Sequence, residues 1–335
     1  MDLERVDSCP VCGESARSLL HDKLTDNVFF TAAGEWTMWR CSACRSAYYD
    51  PRPTPATIGL AYSQYYTHEQ IEPPPPATKL VARLRSVLAN GYRNARFGTK
   101  LKPSSRLGHM VGRLVPPLAR SVETEFRYLP HCPGPQAKLL DIGCGGGDWL
   151  AGVRQAGWLT FGADPDPVAR SRGADQAIEI RENAKAWLDQ AGTFDAITSN
   201  HSLEHVHDPG ALLHDAFELL KPGGQFVVET PNIDGWGHRI YGRDWVGLDP
   251  PRHLVLFNRD SLRAALARTG FVRIRQRRRS PYFPQLALFS ARLAAGHRFD
   301  DPSARVPTPG WFTRFRANHS WRHAEALLFT ANKPV

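Results

Sequence analysis

An apolar run at residues 138–142, KLLDI, passes straight into Gly143, Gly145, Gly146 and Gly147 and resumes as a helical segment at Asp148. A strand that turns so sharply into a helix belongs to a parallel α/β sheet. There the glycines let backbone N–H groups at the helix start approach a ligand closely. The turn alone admits several ligands. A Walker-type phosphate loop is excluded, because no Lys-Ser/Thr pair follows the glycines. The dinucleotide fingerprint G-x-G-x-x-G needs a third glycine inside the helix, and counted from Gly143 that position is Asp148. Asp141 lies at the end of this strand and Asp164 at the end of the next, beside the turn, where a carboxylate can accept hydrogen bonds from both ribose hydroxyls. An adenosine ligand other than a dinucleotide meets all these conditions.

From about residue 126 onward, strand and helix patterns alternate, which predicts a largely parallel sheet covered on both faces. Strands are expected at 138–142, 160–164, 177–180, 194–199, 225–230, 271–277 and 324–331, with helices near 148–156, 166–172, 208–220 and 259–268. The connection 280–322 is too long for a hairpin and contains its own helical stretch, QLALFSARLAAG. Residues 1–55 hold two CxxC pairs and end in alternating prolines. Residues 56–125 contain a PPPP run at 73–76 and then a basic helical segment in which Leu80, Leu84, Val87 and Leu88 share one face. The expected organisation is a cysteine module at 1–55, a helical linker or cap at 56–125, and an α/β domain at 126–335 with an insertion at about 280–322.

The successive stretches LLDIGCGGG, GADPDP, TFDAITSNHSLEHVHDP and LLKPGGQFVVETPN resemble, in order and spacing, the motifs of class I S-adenosylmethionine-dependent methyltransferases, over roughly residues 135–275. The segment RDWVGLDPPRHLVLFNRDSLRAALARTGF is similar to the subgroup holding ubiquinone-type O-methyltransferases and many natural-product and sugar methyltransferases. The resemblance implies a Rossmann-like sheet of seven strands in the order 3-2-1-4-5-7-6, the last antiparallel. It implies that Gly143, Gly145 and Gly147 approach the methionyl part of S-adenosylmethionine, that Asp141 lies near its amino group, that Asp164 holds the ribose and that Asn200 joins the cofactor site. Glu182 or Asn183 would contact adenine, although the loop RENAK departs from the usual acidic-apolar pattern.

Methyl transfer from a sulfonium needs an in-line nucleophile, a site closed to water and a base for an acceptor that must lose a proton. SNHSLEHVHD sets Asn200, His201, Glu204, His205 and His207 at the carboxyl end of the fourth strand, and histidine is the natural base near neutral pH. After the fifth strand, Trp236, His238, Tyr241, Trp245 and His253 make a mixture suited to a substrate lid. The candidate catalytic residues are His205, His253 and His201. The DPPR sequence at 249–252 lacks the aromatic fourth residue of the base-methylating D/N-P-P-aromatic motif and lies after the wrong strand. Neither Cys132 nor Cys144 occupies the position of a cytosine-C5 nucleophile.

Cys9, Cys12, Cys41 and Cys44 offer four thiolates in two knuckles, the donor set of closed structural zinc, with Pro10 and Gly13 favouring the tight turn. The gap between the pairs exceeds the roughly 15 to 20 residues of a common ribbon, so a hairpin with a longer insertion is expected. The N-terminus lacks a basic-then-apolar leader pattern, which predicts a cytoplasmic protein. A small-molecule acceptor is the preferred partner. The formal charge of +9 and the stretch from Lys79 to Arg120, which has no Asp or Glu, keep two other partners open: an RNA substrate, or a membrane surface met through residues 79–120. A methyltransferase fold that binds cofactor without turnover is the non-enzymatic alternative.

Overall fold

The computed structural model describes residues 1–63 and 80–335; the proline run at 73–76 and Lys79 lie outside them. The N-terminal part contains β1 (Leu3–Glu4), β2 (Arg17–Leu24), β3 (Trp36–Cys41), β4 (Ala47–Tyr49) and β5 (Arg52–Pro53), followed by a 3-10 turn at Ile58–Tyr62. Three helices follow: α1 (Leu80–Phe97), α2 (Leu107–Leu114) and α3 (Pro116–Glu125). The α/β part runs β6 (Lys138–Ile142), α4 (Asp148–Val153), β7 (Leu159–Ala163), α5 (Pro167–Asp175), β8 (Glu179–Arg181), β9 (Phe194–Asn200), α6 (Pro209–Leu219) and β10 (Leu220–Pro231). It continues through α7 (Trp236–Tyr241), β11 (Val255–Leu256), α8 (Arg259–Thr269), β12 (Val272–Arg277), α9 (Phe283–Ala294), α10 (Trp311–His319) and β13 (Ala326–Asn332).

The central sheet has seven strands in the order β12-β13-β10-β9-β6-β7-β8, with β13 antiparallel to both neighbours. This is the order and polarity that the motif resemblance implied. Its middle strands are nearly continuous apolar runs, as strands covered on both faces must be: Leu139, Leu140, Ala196, Ile197 and Phe226 are wholly buried. Each crossover helix starts on a local signal. Asp166 caps α5 by accepting from Val168 N with Pro167 following, and Asp208 caps α6 by accepting from Ala211 N with Pro209 following. Asn258 and Ser261 form a capping box on α8, which ends at Gly270 with φ 107°.

Helix α1 only partly follows its apolar stripe. Tyr92 and Phe97 are buried with Val122 and Phe126 of the following segment, while Leu80 and Leu84 are exposed. The stripe marks the right helix but overstates how much of it packs.

The cysteine module is joined to the α/β part by backbone pairing, packing and charge. β11 pairs antiparallel with β4, extending the four-stranded sheet β11-β4-β3-β2. One apolar cluster runs from Cys9, Cys41 and Tyr48 through Leu254, Val255 and Phe257 into the central sheet. The cap of α8 reaches back to a knuckle, with Asn258 Nδ2 donating to the Cys44 carbonyl at 2.8 Å. Arg252, with no exposed surface, donates to Asp26 Oδ1 at 2.6 Å and to Asp249 Oδ1 at 2.6 Å, beneath the ring of Phe29. Asp26 in turn accepts from the backbone N–H groups of Phe29, Thr31 and Ala32. Burial raises the Asp26 pKa, but the hydrogen bond and charge of Arg252 outweigh it and hold the carboxyl below its usual range.

Removing one partner of such a pair leaves a buried charge without compensation. Asp26→Ala is expected to lose about 3 to 5 kcal/mol of unfolding free energy, measured by denaturant titration. A loss under about 1 kcal/mol, the size of an exposed ion pair, would show that Arg252 finds other compensation.

Candidate active site

The glycine turn between β6 and α4 has left-handed backbone at Gly143 (φ 76°), Gly145 (φ 55°) and Gly147 (φ 86°). A side chain at Gly143 is also excluded by space, because a Cβ there would lie 2.4 Å from Cβ of Ser202. Ser202 belongs to the loop after β9 and donates to the Ile142 carbonyl at 2.8 Å. The turn and the post-β9 loop therefore press together at the carboxyl end of the sheet. Asp164 Oδ2 accepts from Gly145 N at 2.8 Å, and its Oδ1 accepts from Asp166 N at 3.0 Å. Each oxygen keeps a second lone pair, so the carboxylate sits against the glycine cradle with acceptor capacity for a diol.

Asp141 is fully buried. Its Oδ1 accepts from Thr198 Oγ1 at 2.7 Å and pairs with Arg127, whose guanidinium lies 3.7 Å over the ring of Trp149. Its Oδ2 is buried with no hydrogen-bond partner among the described residues. A buried carboxylate oxygen without a donor is costly unless a ligand supplies one, and an amino group does so. The orphaned oxygen, the cradle without side chains and the carboxylate of Asp164 fit the amino acid and ribose ends of S-adenosylmethionine. Asn200 ends β9 opposite Glu229 of β10. On the adenine side, Asn183 is engaged as a helix cap, accepting from Ala186 N at 3.0 Å, while Glu182 is exposed.

The loop after β9 gathers the histidines into two settings. His201 sits between two buried carboxylates, its Nδ1 3.3 Å from Glu204 Oε1 and its Nε2 3.5 Å from Glu229 Oε1; Arg279 also pairs with Glu229. Burial alone would lower the His201 pKa, but the two carboxylates push it up to about 10. Glu204 and Glu229 answer in the opposite direction. Burial raises them, but His201 pulls Glu204 and chiefly Arg279 pulls Glu229, each down to about 2.

His205 and His253 lie close together, with ring centroids 4.7 Å apart, and with Glu204 they bring one donor atom each within 4.8 Å of one another. The Arg252 carbonyl, 3.0 Å from His205 Nδ1, can only accept, as can the Gly247 carbonyl 2.8 Å from His253 Nδ1. In a neutral ring each Nδ1 therefore carries the proton and Nε2 holds the lone pair. Burial first, and the charge of His253 second, push the His205 pKa down to about 4. Tyr62 of the N-terminal part also reaches His205, Oη to Nδ1 at 2.8 Å.

His207 lies apart, bonded to the Pro53 carbonyl, and His238 meets His21 of β2 with Nε2 to Nε2 at 2.9 Å. Cys9, Cys12, Cys41 and Cys44 converge, with Cys9–Cys44 and Cys12–Cys41 sulfurs 3.6 Å apart and all four within 4.8 Å of one another. A tetrahedron with zinc–sulfur bonds of about 2.3 Å has sulfurs about 3.8 Å apart, so the four thiols have the spacing of a closed zinc site.

A seven-stranded sheet of this order, with an adenosine-type cradle at the carboxyl ends of its first two strands, defines a class I S-adenosylmethionine-dependent methyltransferase fold. A family model described as a methyltransferase domain matches residues 106–276, and the chain belongs to that family. Among curated relatives it is 33% identical over 125 residues to a ubiquinone biosynthesis O-methyltransferase of Erwinia tasmaniensis, covering 34% of this chain and 51% of that one. To the protein of the same name from Xanthomonas oryzae pv. oryzae it is 36% identical over 104 residues, covering 29% and 44%. The chain thus spans about half the length of the curated relatives it matches. Similar solved structures include a SAM-dependent methyltransferase from Archaeoglobus fulgidus (16% identity, 72% of this chain and 98% of that one, TM-score 0.45). A geranyl diphosphate methyltransferase in complex with SAM is also similar (22% identity, 72% and 94%, TM-score 0.42).

Sequence reasoning missed Arg127, Asp26, Arg252, Tyr62 and Arg279. Each acts through a partner remote in the chain, and no spacing rule pairs Asp26 with Arg252 or Arg127 with Asp141. Glu229 stood inside the quoted VVETPN stretch without a role.

The His201 pairings carry a pH signature. The folded-state pKa of His201 exceeds its ordinary 6.5, so its contribution to stability is full below about pH 6.5 and is lost as pH rises toward about 10. Glu204 and Glu229 are shifted below 4.5, so their contribution is lost as pH falls from about 4.5 toward about 2. The difference in thermal midpoint between the native protein and His201→Gln is expected to peak near about pH 5 to 6 and to shrink toward pH 10. A difference that stays flat across this range would remove the charge pairing.

Proposed function

We propose that this protein transfers a methyl group from S-adenosylmethionine to oxygen or carbon of a small-molecule acceptor, with His205 or His253 taking the acceptor's proton. The observation that carries this reading is the contact between Gly143 and Ser202, which joins the cofactor cradle to the loop bearing Glu204 and His205. Bound S-adenosylmethionine supplies an electrophilic methyl group on a sulfonium. The chain's residues supply the rest. Asp164 holds the ribose hydroxyls, Asp141 Oδ2 accepts from the amino group, and Arg127 is the cation on hand for the carboxylate. Asn200 closes the cradle at the end of β9.

His201, held protonated by two carboxylates, is suited to serve as a fixed cation and not as a base. His205 presents a neutral imidazole with its lone pair on Nε2, oriented by Tyr62 and the Arg252 carbonyl, and the His253 ring stands beside it with Nδ1 toward the Gly247 carbonyl. Cys9, Cys12, Cys41 and Cys44 would hold a closed zinc that keeps the N-terminal module in shape and takes no part in the chemistry.

His205→Ala and His253→Ala should each leave S-adenosylhomocysteine affinity by calorimetry within about twofold and lower turnover at least about a hundredfold, the usual scale of a general base. Normal turnover in both would remove the acid-base assignment. The acceptor class is read by incubating the protein and labelled S-adenosylmethionine with metabolite, lipid and RNA extracts. Label in RNA would defeat the small-molecule reading, and no transfer at all would favour a non-catalytic binding protein.

The carefully purified protein should hold about one equivalent of zinc, and chelation should lower its melting temperature. Less than half an equivalent would overturn the zinc assignment.

A further inference from the structure

Helix α10 lies in the insertion between β12 and β13, and its outer face is aromatic. Trp311 is 76% exposed, Phe312 63% and Phe315 47%, while Ala317 on the same helix is buried against Phe283 and Ala287 of α9. At about 100° per residue, Trp311, Phe315, His319 and Phe312 fall within an arc of about 100°, and Ala317 stands opposite its centre. Arg314 and Arg316, both exposed, flank the arc on either side. Residues 302–324 contain Arg305, Arg314, Arg316 and Arg322 and no Asp or Glu. None of these arginines pairs with a carboxylate among the described residues.

We infer that α10 is an interfacial helix that seats the protein on a bilayer carrying anionic lipid. A helix with Trp and Phe on one face and arginines along its borders has the composition that lies in the headgroup region, its rings at the acyl boundary and its cations against lipid phosphates. Two other occupants fit less well. Single-stranded nucleic acid needs open ring faces for its bases. Here the rings stack on one another, Trp311 on Phe315 at 5.6 Å and Phe315 on His319 at 4.2 Å, which takes up ring faces that bases would need. A second copy of the chain would bring the same unpaired arginines face to face across a twofold axis, where like charges repel. The inference is independent of the acceptor and of the base.

The test is co-flotation of the full-length protein with vesicles of phosphatidylcholine alone, or with about 30% phosphatidylglycerol, at low and high salt. Binding to the anionic vesicles is expected at low salt, with weaker binding at high salt and on pure phosphatidylcholine. The triple variant Trp311→Ser/Phe312→Ser/Phe315→Ser should lower the bound fraction at least tenfold, and Arg314→Gln/Arg316→Gln should flatten the salt dependence. Unchanged S-adenosylhomocysteine affinity by calorimetry shows that each variant is folded. No flotation of the native protein, or equal flotation of the triple variant, overturns the proposal. Single-stranded RNA binding lost in the triple variant, without vesicle binding, would overturn it in favour of nucleic acid. Concentration-dependent dimerisation lost in the same way would overturn it in favour of a second copy.

Discussion

Arg252 is a cation with no exposed surface, and the site is arranged around the need to compensate it. One of its carboxylates, Asp249, lies three residues back; the other, Asp26, comes from the opposite end of the chain. The same loop turns its backbone to use. The Asp249 carbonyl accepts from the N–H groups of Arg252 and His253, and the Arg252 carbonyl meets Nδ1 of His205. Satisfying the buried charge therefore also sets the orientation of two histidines. A buried ion pair of this kind adds little net stability over a well-packed apolar substitute, but breaking it is expensive. Its consequence is geometric: the loop 249–253 is held in this shape in part by a carboxylate of the N-terminal module.

That dependence gives the cysteine module a mechanical meaning. The four thiols hold two knuckles, and the knuckles offer the Cys44 carbonyl to Asn258, the cap of α8. β4 takes β11 as its sheet neighbour, and the loop after β2 delivers Asp26. A module of this size has little core of its own, and here its core is continuous with that of the sheet. Tyr62, just beyond the module, completes the arrangement by reaching His205.

Legibility from the sequence followed the range of the interactions. The strands and the starts of the crossover helices were readable, since each rests on a local pattern, an apolar run, an Asp-Pro cap or a glycine turn, whereas the strand order came only from the motif resemblance. The glycine turn was readable for the same reason, and the structure sets Asp141 and Asp164 beside it. The histidines were readable as a group but not as individuals. His201 and His205 are four residues apart, yet one is raised to about 10 and the other lowered to about 4. At His201 the carboxylates of Glu204 and Glu229 outweigh burial, whereas at His205 burial, aided by the charge of His253, prevails over Glu204 and the Arg252 carbonyl. The apolar stripe of α1 was legible as helix but not as exposure, because burial depends on what packs against it.

The sequence by itself determined the sheet, the glycine turn that selects an adenosine cofactor, and the cysteines able to close on a metal, because backbone geometry and donor chemistry are local properties. The tertiary structure decided which histidine is held protonated, which carboxylate oxygen is left wanting a donor, and that the N-terminal part reaches Arg252 and His205. Those outcomes depend on charges and burial contributed by residues of separate elements, up to 226 positions apart for Asp26 and Arg252, and electrostatics in a dry interior is set by distance in space.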